Sequence, residues 1–395
     1  MFKARSWRRH ASSRNWRGLS RHAVTRPLIL SVSLLTAMML APAIMESGAL
    51  AQNGRIFQFI GAPCNAAACP GWQMLDNNPA SVRITAAGNG GPSGRVYQLH
   101  NDGRIFRFNG PPCDGESCPG WQMLDNNPAS IGIVAFGRVN APDEVIQLHS
   151  SGHIFKFTGM PCNGESCHGW QMLDNNSGTL ALAAGGGELY QLHNDGRIFQ
   201  WTGIACGSTS CPGWQMLDNN PATVRIAAGS AGLYQLHNDG RIFKFNGPPC
   251  NGEVCPGWQM LDKNPATVGI TVGRGLYQLH NSGRIFAWGG APCMGELCPS
   301  WQTIDNNPAT IAIVAGRRSG TSGIALYQIH DSGQIFHYTG TPCNDAGCPG
   351  WVMIDNNPNS GRLSYGSVSN AGLFQIHADR IRMTRERTCA ECRPH

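Results

Sequence analysis

The chain of 395 residues carries 30 basic and 24 acidic side chains, a formal charge of +6, with 50 glycines, 25 prolines and 16 cysteines. Eight of the basic residues but only Glu46 among the acidic ones precede residue 52, so the following 344 residues hold 22 basic against 23 acidic groups. That near-neutral balance excludes the basic footprint on which non-specific nucleic-acid binding depends, and the length exceeds what one ordinary hydrophobic core serves.

Residues 1–27 contain Lys3, Arg5, Arg8, Arg9, Arg14, Arg17, Arg21 and Arg26 and no acid. A mostly apolar run from Leu28 to Met45 follows, and Ala49-Leu50-Ala51 before Gln52 supplies the small residues of a signal-peptidase site. Residues 1–51 therefore read as an export signal, which predicts a periplasmic or extracellular protein with no membrane span after cleavage. The alternative is an uncleaved anchor, since roughly 18 apolar residues just span a bilayer; Pro42 and the cleavage site favour removal.

The remainder is a repeat. Tryptophans stand at Trp72, Trp121, Trp170, Trp214, Trp258, Trp301 and Trp351, spaced by 49, 49, 44, 44, 43 and 50 residues. Seven copies of [LV]-[YIF]-Q-[LI]-H end at His100, His149, His193, His237, His280, His330 and His377, and seven copies of G-[RHQ]-I-F begin at positions from Gly54 to Gly333. In the unit from Ile226 to Asn264, L-Y-Q-L-H and R-I-F-K-F flank an Asp-Gly pair, a hairpin signal. A small-residue run precedes this hairpin and W-Q-M-L-D follows it. Four short strands in 40 to 50 residues, repeated seven times, predict an all-β, seven-bladed β-propeller of four-stranded blades.

Seven inner strands crowd a central channel, so the Ala/Gly-rich run is assigned to the innermost strand a, L-Y-Q-L-H to b, R-I-F-x-F to c and W-Q-M-L-D to the outer strand d. In this register residues 52–377 form the propeller. The last blade takes a and b from near Arg362–Gly366 and Leu373–His377, and c and d from the N-terminal Arg55–Phe59 and Trp72–Leu75, a clasp that removes open edges. Residues 378–395 form a tail with a degenerate eighth repeat, which leaves eight blades as the alternative.

The cysteines fall as C-x4-C in every unit: Cys64 with Cys69, Cys113 with Cys118, Cys162 with Cys167, Cys206 with Cys211, Cys250 with Cys255, Cys293 with Cys298 and Cys343 with Cys348. The tail adds Cys389 and Cys392 as C-x2-C. Even numbers at fixed spacing behind an export signal read as disulfides. Thiolate metal sites would need four ligands per ion, and no unit supplies two more. Each small ring contributes roughly 2 kcal/mol by chain entropy and staples the loop between c and d, not one blade to the next. The Q-L-H histidines read as fixed hydrogen-bonding groups at the ends of packed strands, or as a ring of ligands or bases. The tryptophans read as fillers between blades, or, where partly exposed, as platforms for the apolar face of a sugar.

Strands alternate in direction, so the b-to-c turns (N-D-G) and the d-to-a connections (D-N-N-P) emerge on one end of the ring, and the cysteine loops and variable a-to-b loops on the other. Asn and Asp serve the turns themselves; beyond that, they present repeated amides and carboxylates suited to hydroxyl groups. The candidate ligand-binding residues are His100, Asn101, Asp102, Asp125, Asn126, His193, Asn194, Asp195, Asp218, Asn219 and Trp214. Units with both H-N-D and D-N-N, around His100 and His193, are expected to bind best. Those around His149 (Ser150-Ser151 in the turn) and His237 (Lys263 in the loop) are expected to bind worst. A catalytic constellation needs different groups to converge once, whereas these residues recur. No phosphate loop, contiguous Ca²⁺ loop or third ligand for His149 and His153 is present, so no enzyme activity, metal or cofactor is expected, and multiplicity favours avid binding.

The order W-x-x-[LI]-D, small-residue run, L-Y-Q-L-H-N-D-G-R-I-F-x-F resembles the tectonin-type repeat from Gly54 to His377. The G-R-I-F-A-W-G run at Gly283–Gly289 is similar to the propeller repeat of the regulator of chromosome condensation. The first resemblance implies a lectin-like propeller that binds glycans or glycoconjugates. The second implies protein partners, for which the variable loops Asn89–Gly94, Arg138–Asp143 and Arg317–Ala325 are the candidates. The C-x4-C loop is foreign to the tectonin pattern, so the resemblance carries over no list of sugar-binding residues.

Overall fold

The computed structural model describes residues 54–65, 68–87, 95–137, 143–208, 210–317, 324–366 and 372–377. The segment read as an export signal, the tail with Cys389 and Cys392, and most of the three variable loops lie outside the described residues. Twenty-eight strands form seven four-stranded antiparallel sheets. Blade 1 runs Ser81–Ala87, Arg95–His100, Ile105–Phe108 and Trp121–Asp125, and blades 2 to 6 repeat that order. Blade 7 takes its inner pair from Ser360–Tyr365 and Leu373–His377 and its outer pair from Ile56–Phe59 and Trp72–Asp76. The clasp is therefore closed by the N-terminal strands.

The hydrophobic core is seven cores, one between each pair of neighbouring blades. Tyr97, Leu99, Ile105 and Leu124 of blade 1 meet Ile133, Ala135 and Val145 of blade 2, and Ile56, Leu75, Phe374 and Ile376 of blade 7 meet Ala86 and Val96 of blade 1. This is why b strands read as continuous apolar runs: both faces of each b strand are covered, and its five residues through the histidine are buried. Small residues on strand a let inner strands approach at the narrow end of the channel. A Cβ on Gly185 would run into the backbone of Gly229, and one on Gly316 into the ring of Tyr365.

Each d-strand tryptophan closes the gap to the preceding blade. Its indole Nε1 donates to the carbonyl of the residue before the d-strand aspartate, as from Trp121 to Leu75 (2.8 Å), Trp214 to Leu173 (2.8 Å) and Trp72 to Ile354 (2.8 Å). The ring also packs against the fourth residue of strand c, as Phe245 does at 5.2 Å from Trp258. Seven such bonds run right round the ring.

All seven C-x4-C pairs among the described residues are disulfide-bonded as the spacing predicts. Cys64 is joined to Cys69, Cys113 to Cys118, Cys162 to Cys167 and Cys206 to Cys211. Cys250 is joined to Cys255, Cys293 to Cys298 and Cys343 to Cys348. The course of the loops that hold them differs from the sequence expectation. Each loop leaves strand c at the far end but folds back along the outer d strand of the preceding blade. There the first cysteine N–H donates to a d-strand carbonyl, Cys113 to Met74 at 3.2 Å and Cys250 to Met216 at 3.1 Å. The loop tip reaches the opposite face, where Asn77 and Asn126 donate Nδ2 to the carbonyls of Glu116 and Glu165. The disulfide itself stays within its loop, but the loop bridges blades and covers an otherwise open strand edge.

Candidate functional site

The b-to-c turns and d-to-a loops do share one end of the ring. The turn glycine is held at positive φ, +85° at Gly103, Gly196 and Gly240, and packs so closely on the loop that a Cβ there would meet the carbonyl of Asn127, Asn220 or Asn264. From the other side the turn donates into the preceding loop, Asn101 N to Ala80 O and Asn194 N to Gly178 O.

On this face the candidate residues divide into a buried and an exposed set. Asp125 and Asp218 are buried, each reaching across a blade boundary to a hydroxyl and a glutamine. Ser130 Oγ donates to Gln147 Oε1 at 2.7 Å and lies 3.3 Å from Asp125 Oδ2; Thr223 Oγ1 donates to Gln235 Oε1 at 2.6 Å and lies 3.5 Å from Asp218 Oδ2. Burial pushes both carboxyls above their usual range against these hydrogen bonds. Aspartate, hydroxyl and glutamine recur at every blade boundary, for instance as Asp174, Thr179 and Gln191, so the invariant Q of Q-L-H belongs to an interblade polar lock.

His100 and His193 are also buried, 2% exposed, and lie over Phe106 and Phe199 at 4.5 Å between ring centroids. The expected hydrogen bond from the ring to a turn is absent: among the described residues neither nitrogen of either ring has a partner. It is the backbone that bonds, His100 N to Arg104 O at 2.9 Å. Burial lowers both histidine pKa values, for His100 to about 4. Trp214 is half-buried and committed to Leu173. Asn126 and Asn219 are exposed, but their Nδ2 groups donate to Glu165 and Glu253 of the neighbouring cysteine loop.

Asn101, Asp102, Asn194 and Asp195 remain at the surface. Asp102 accepts from the backbone N of Arg104 at 3.1 Å and from its Nε at 2.7 Å, and Asp195 does the same with Arg197 at 3.1 and 2.7 Å. Asp239 and Arg241 form a third copy, with Nε to Oδ2 at 2.7 Å. Each guanidinium also sits over the phenylalanine beneath it, at 5.7 to 5.8 Å. The bond to the carboxylate is made through Nε, and the arginine side chains are 42 to 44% exposed. The three arginines and the Asn238–Asp239 pair were not among the sequence candidates. The tetrapeptide N-D-G-R, found in only three units, is the signal that distinguishes them. The turn at His237, expected to be weak because of Lys263, is one of the three complete copies; Lys263 itself pairs with Glu296 of the neighbouring cysteine loop.

Fold and face together define a closed seven-bladed β-propeller with a polar, turn-built end. Among the described residues no group of three or more His, Cys, Asp or Glu is placed to hold a metal. No protein-family model and no curated protein matches the sequence. Among solved structures, Prp20p from Saccharomyces cerevisiae, described with its binding to Gsp1p and histones, aligns with a TM-score of 0.54 at 12% identity, covering 86% of this chain and 95% of that one. YCF48 from Cyanidioschyzon merolae aligns at 0.44 and 10% identity over 75% and 95% of the two chains. The SapL1 lectin in complex with alpha methyl fucoside aligns at 0.35 and 16% identity over 69% and 95%. The likeness to Prp20p supports the propeller fold that both sequence resemblances imply.

Proposed function

We propose that the protein is an exported, lectin-like propeller whose turn-built end binds glycans or glycoconjugates. Seven disulfides suit an oxidising compartment. The observation that carries the reading is the exposed Asn-Asp-Gly-Arg turn in blades 1, 3 and 4, each with its Asp–Arg ion pair 42 to 45% exposed. Amide, carboxylate and guanidinium side by side offer both acceptors and donors to hydroxyl groups, and the ion pair leaves no net charge to select an anion. Each site is shallow, so strength comes from three copies on one rigid ring. A glycan array of the full-length protein tests this, repeated with Asp195→Ala and Arg197→Ala. Retention of neutral saccharides, weakened by both changes, is expected; no retention, or retention indifferent to both, overturns the reading.

A second reading, a protein-binding scaffold, is favoured by Val254, Met294 and Leu297. These are 66 to 69% exposed at the cysteine-loop tips of adjacent blades 4 and 5. A pull-down that survives the turn substitutions but is lost on Met294→Ser with Leu297→Ser would favour it.

A further inference from the structure

The seven inner strands share one position, just past the bulge that opens the a–b pairing, where three blades break the repeat. Arg83 pairs with Leu99, Arg225 with Leu236 and Arg362 with Ile376, whereas the other blades carry Gly132, Ala181, Gly269 and Ala312 at the equivalent place. No Asp or Glu stands on any inner strand.

Two of the guanidinium groups are placed by their neighbours. Arg362 Nη1 donates to the carbonyl of Val82 on the adjacent inner strand at 3.3 Å. Arg225 Nη1 lies 3.9 Å from where a Cβ on Gly269 would stand, over the inner strand of the next blade. Both side chains thus reach across to the inner strand of the following blade. Arg83 is exposed at the equivalent position of the inner strand of blade 1.

Two to four residues further along, about 7 to 13 Å at the strand rise, lies a cavity of about 130 Å³ lined by Thr85, Ala135, Gly185, Gly229, Gly273 and Tyr365 among others. One residue nearer the turn-built end stand the exposed apolar side chains Leu180, Val224 and Val268. Arg225 is exposed, yet the protein mass around it pushes its pKa down. Low-dielectric walls around charges of one sign focus their field on the lumen.

We propose that the central channel is an anion site in which Arg83, Arg225 and Arg362 bind a polyvalent oxyanion of the phosphate or sulfate type, free or as the ester group of a larger ligand. Planar guanidinium forks match such oxygens in pairs, and blades 7 and 1 face blade 4 across the ring, so the three cations surround the ligand. This site is independent of the neutral turn sites on the outer face.

Calorimetry of the full-length protein in low-salt cationic buffer tests it, with inorganic phosphate, inorganic sulfate and a sulfated monosaccharide as separate titrants. One site per chain is expected, weakened at least tenfold by Arg225→Gln, less by Arg225→Lys, and unchanged by Arg284→Gln, a change at the exposed arginine that ends the b-to-c turn of blade 5. Denaturation midpoints establish that the variants are folded. Binding of the inorganic ions assigns the site to free anions; binding of the sulfated sugar alone assigns it to the ester. No binding of any titrant, or equal binding by wild type and Arg225→Gln, overturns the proposal.

Discussion

Seven histidines closing seven b strands are neutral in the folded ring, and this makes acid the agent that opens it. His100, His237 and His377 have pKa values lowered from 6.5 to about 4 by burial, and those of the other four Q-[LI]-H histidines are also lowered. A base with a depressed folded pKa is protonated first in the unfolded chain. Its contribution is therefore intact above pH 6.5 and is lost as pH falls from 6.5 towards 4. For His237 the fall from 6.5 to about 4 corresponds to about 3 kcal/mol, of which about 2 kcal/mol is already lost at pH 5. The buried aspartates Asp76, Asp125, Asp218, Asp262 and Asp305 have raised values and act in the opposite sense, losing stability as pH rises through them. A difference measurement cancels them. Urea unfolding of wild type and His237→Gln at pH 8 and pH 5 should show the variant losing about 2 kcal/mol less on acidification, and NMR titration should place His237 near pH 4. Equal losses in the two proteins, or a titration at 6.5, would refute the reasoning.

Three further outcomes follow from the packing. Trp258→Phe keeps an aromatic ring against Phe245 but removes the donor to Leu217 O, and should cost about 1 to 3 kcal/mol in denaturant titrations by leaving that carbonyl unpaired. Gly240→Ala forces a Cβ into the left-handed region at φ +85° and against the Asn264 carbonyl; a loss of about 2 to 3 kcal/mol is expected, whereas the exposed Gly252→Ala meets no neighbour within 4 Å and should cost only its conformational share. Cys250→Ser with Cys255→Ser removes one small ring closure and should lower stability by about 2 kcal/mol. Since that loop bonds to Met216 of the preceding blade, amide exchange should rise at Cys250 itself as well as within the loop.

The ring was legible because its signals are local and repeated. An Asp-Gly turn between two β-rich runs fixes a hairpin, and seven tryptophans at blade spacing fix the count. Even the clasp could be read from Gly54, the start of an orphan c strand. What escaped is tertiary. Nothing in C-x4-C says that its loop will climb the neighbouring d strand, because that path is set by d-strand carbonyls some forty residues away in sequence, such as Met74 for Cys113. Asp218 read as a surface candidate and Gln235 as part of a strand motif, yet the two meet once blades stack. The arginines of the turns and of the channel were hidden for the opposite reason. A consensus emphasises what all units share, and Arg197, Arg241 and Arg225 matter because only some units have them.

The most direct measurement of the central claim is the number of equivalent saccharide sites per chain, read by native mass spectrometry or calorimetry with the best glycan from the array. Three complete turns predict three sites, falling to two with Asn194→Ala plus Asp195→Ala. Avidity on a multivalent surface should then fall on the order of tenfold. Seven sites, none, or three that persist in that variant would contradict the account.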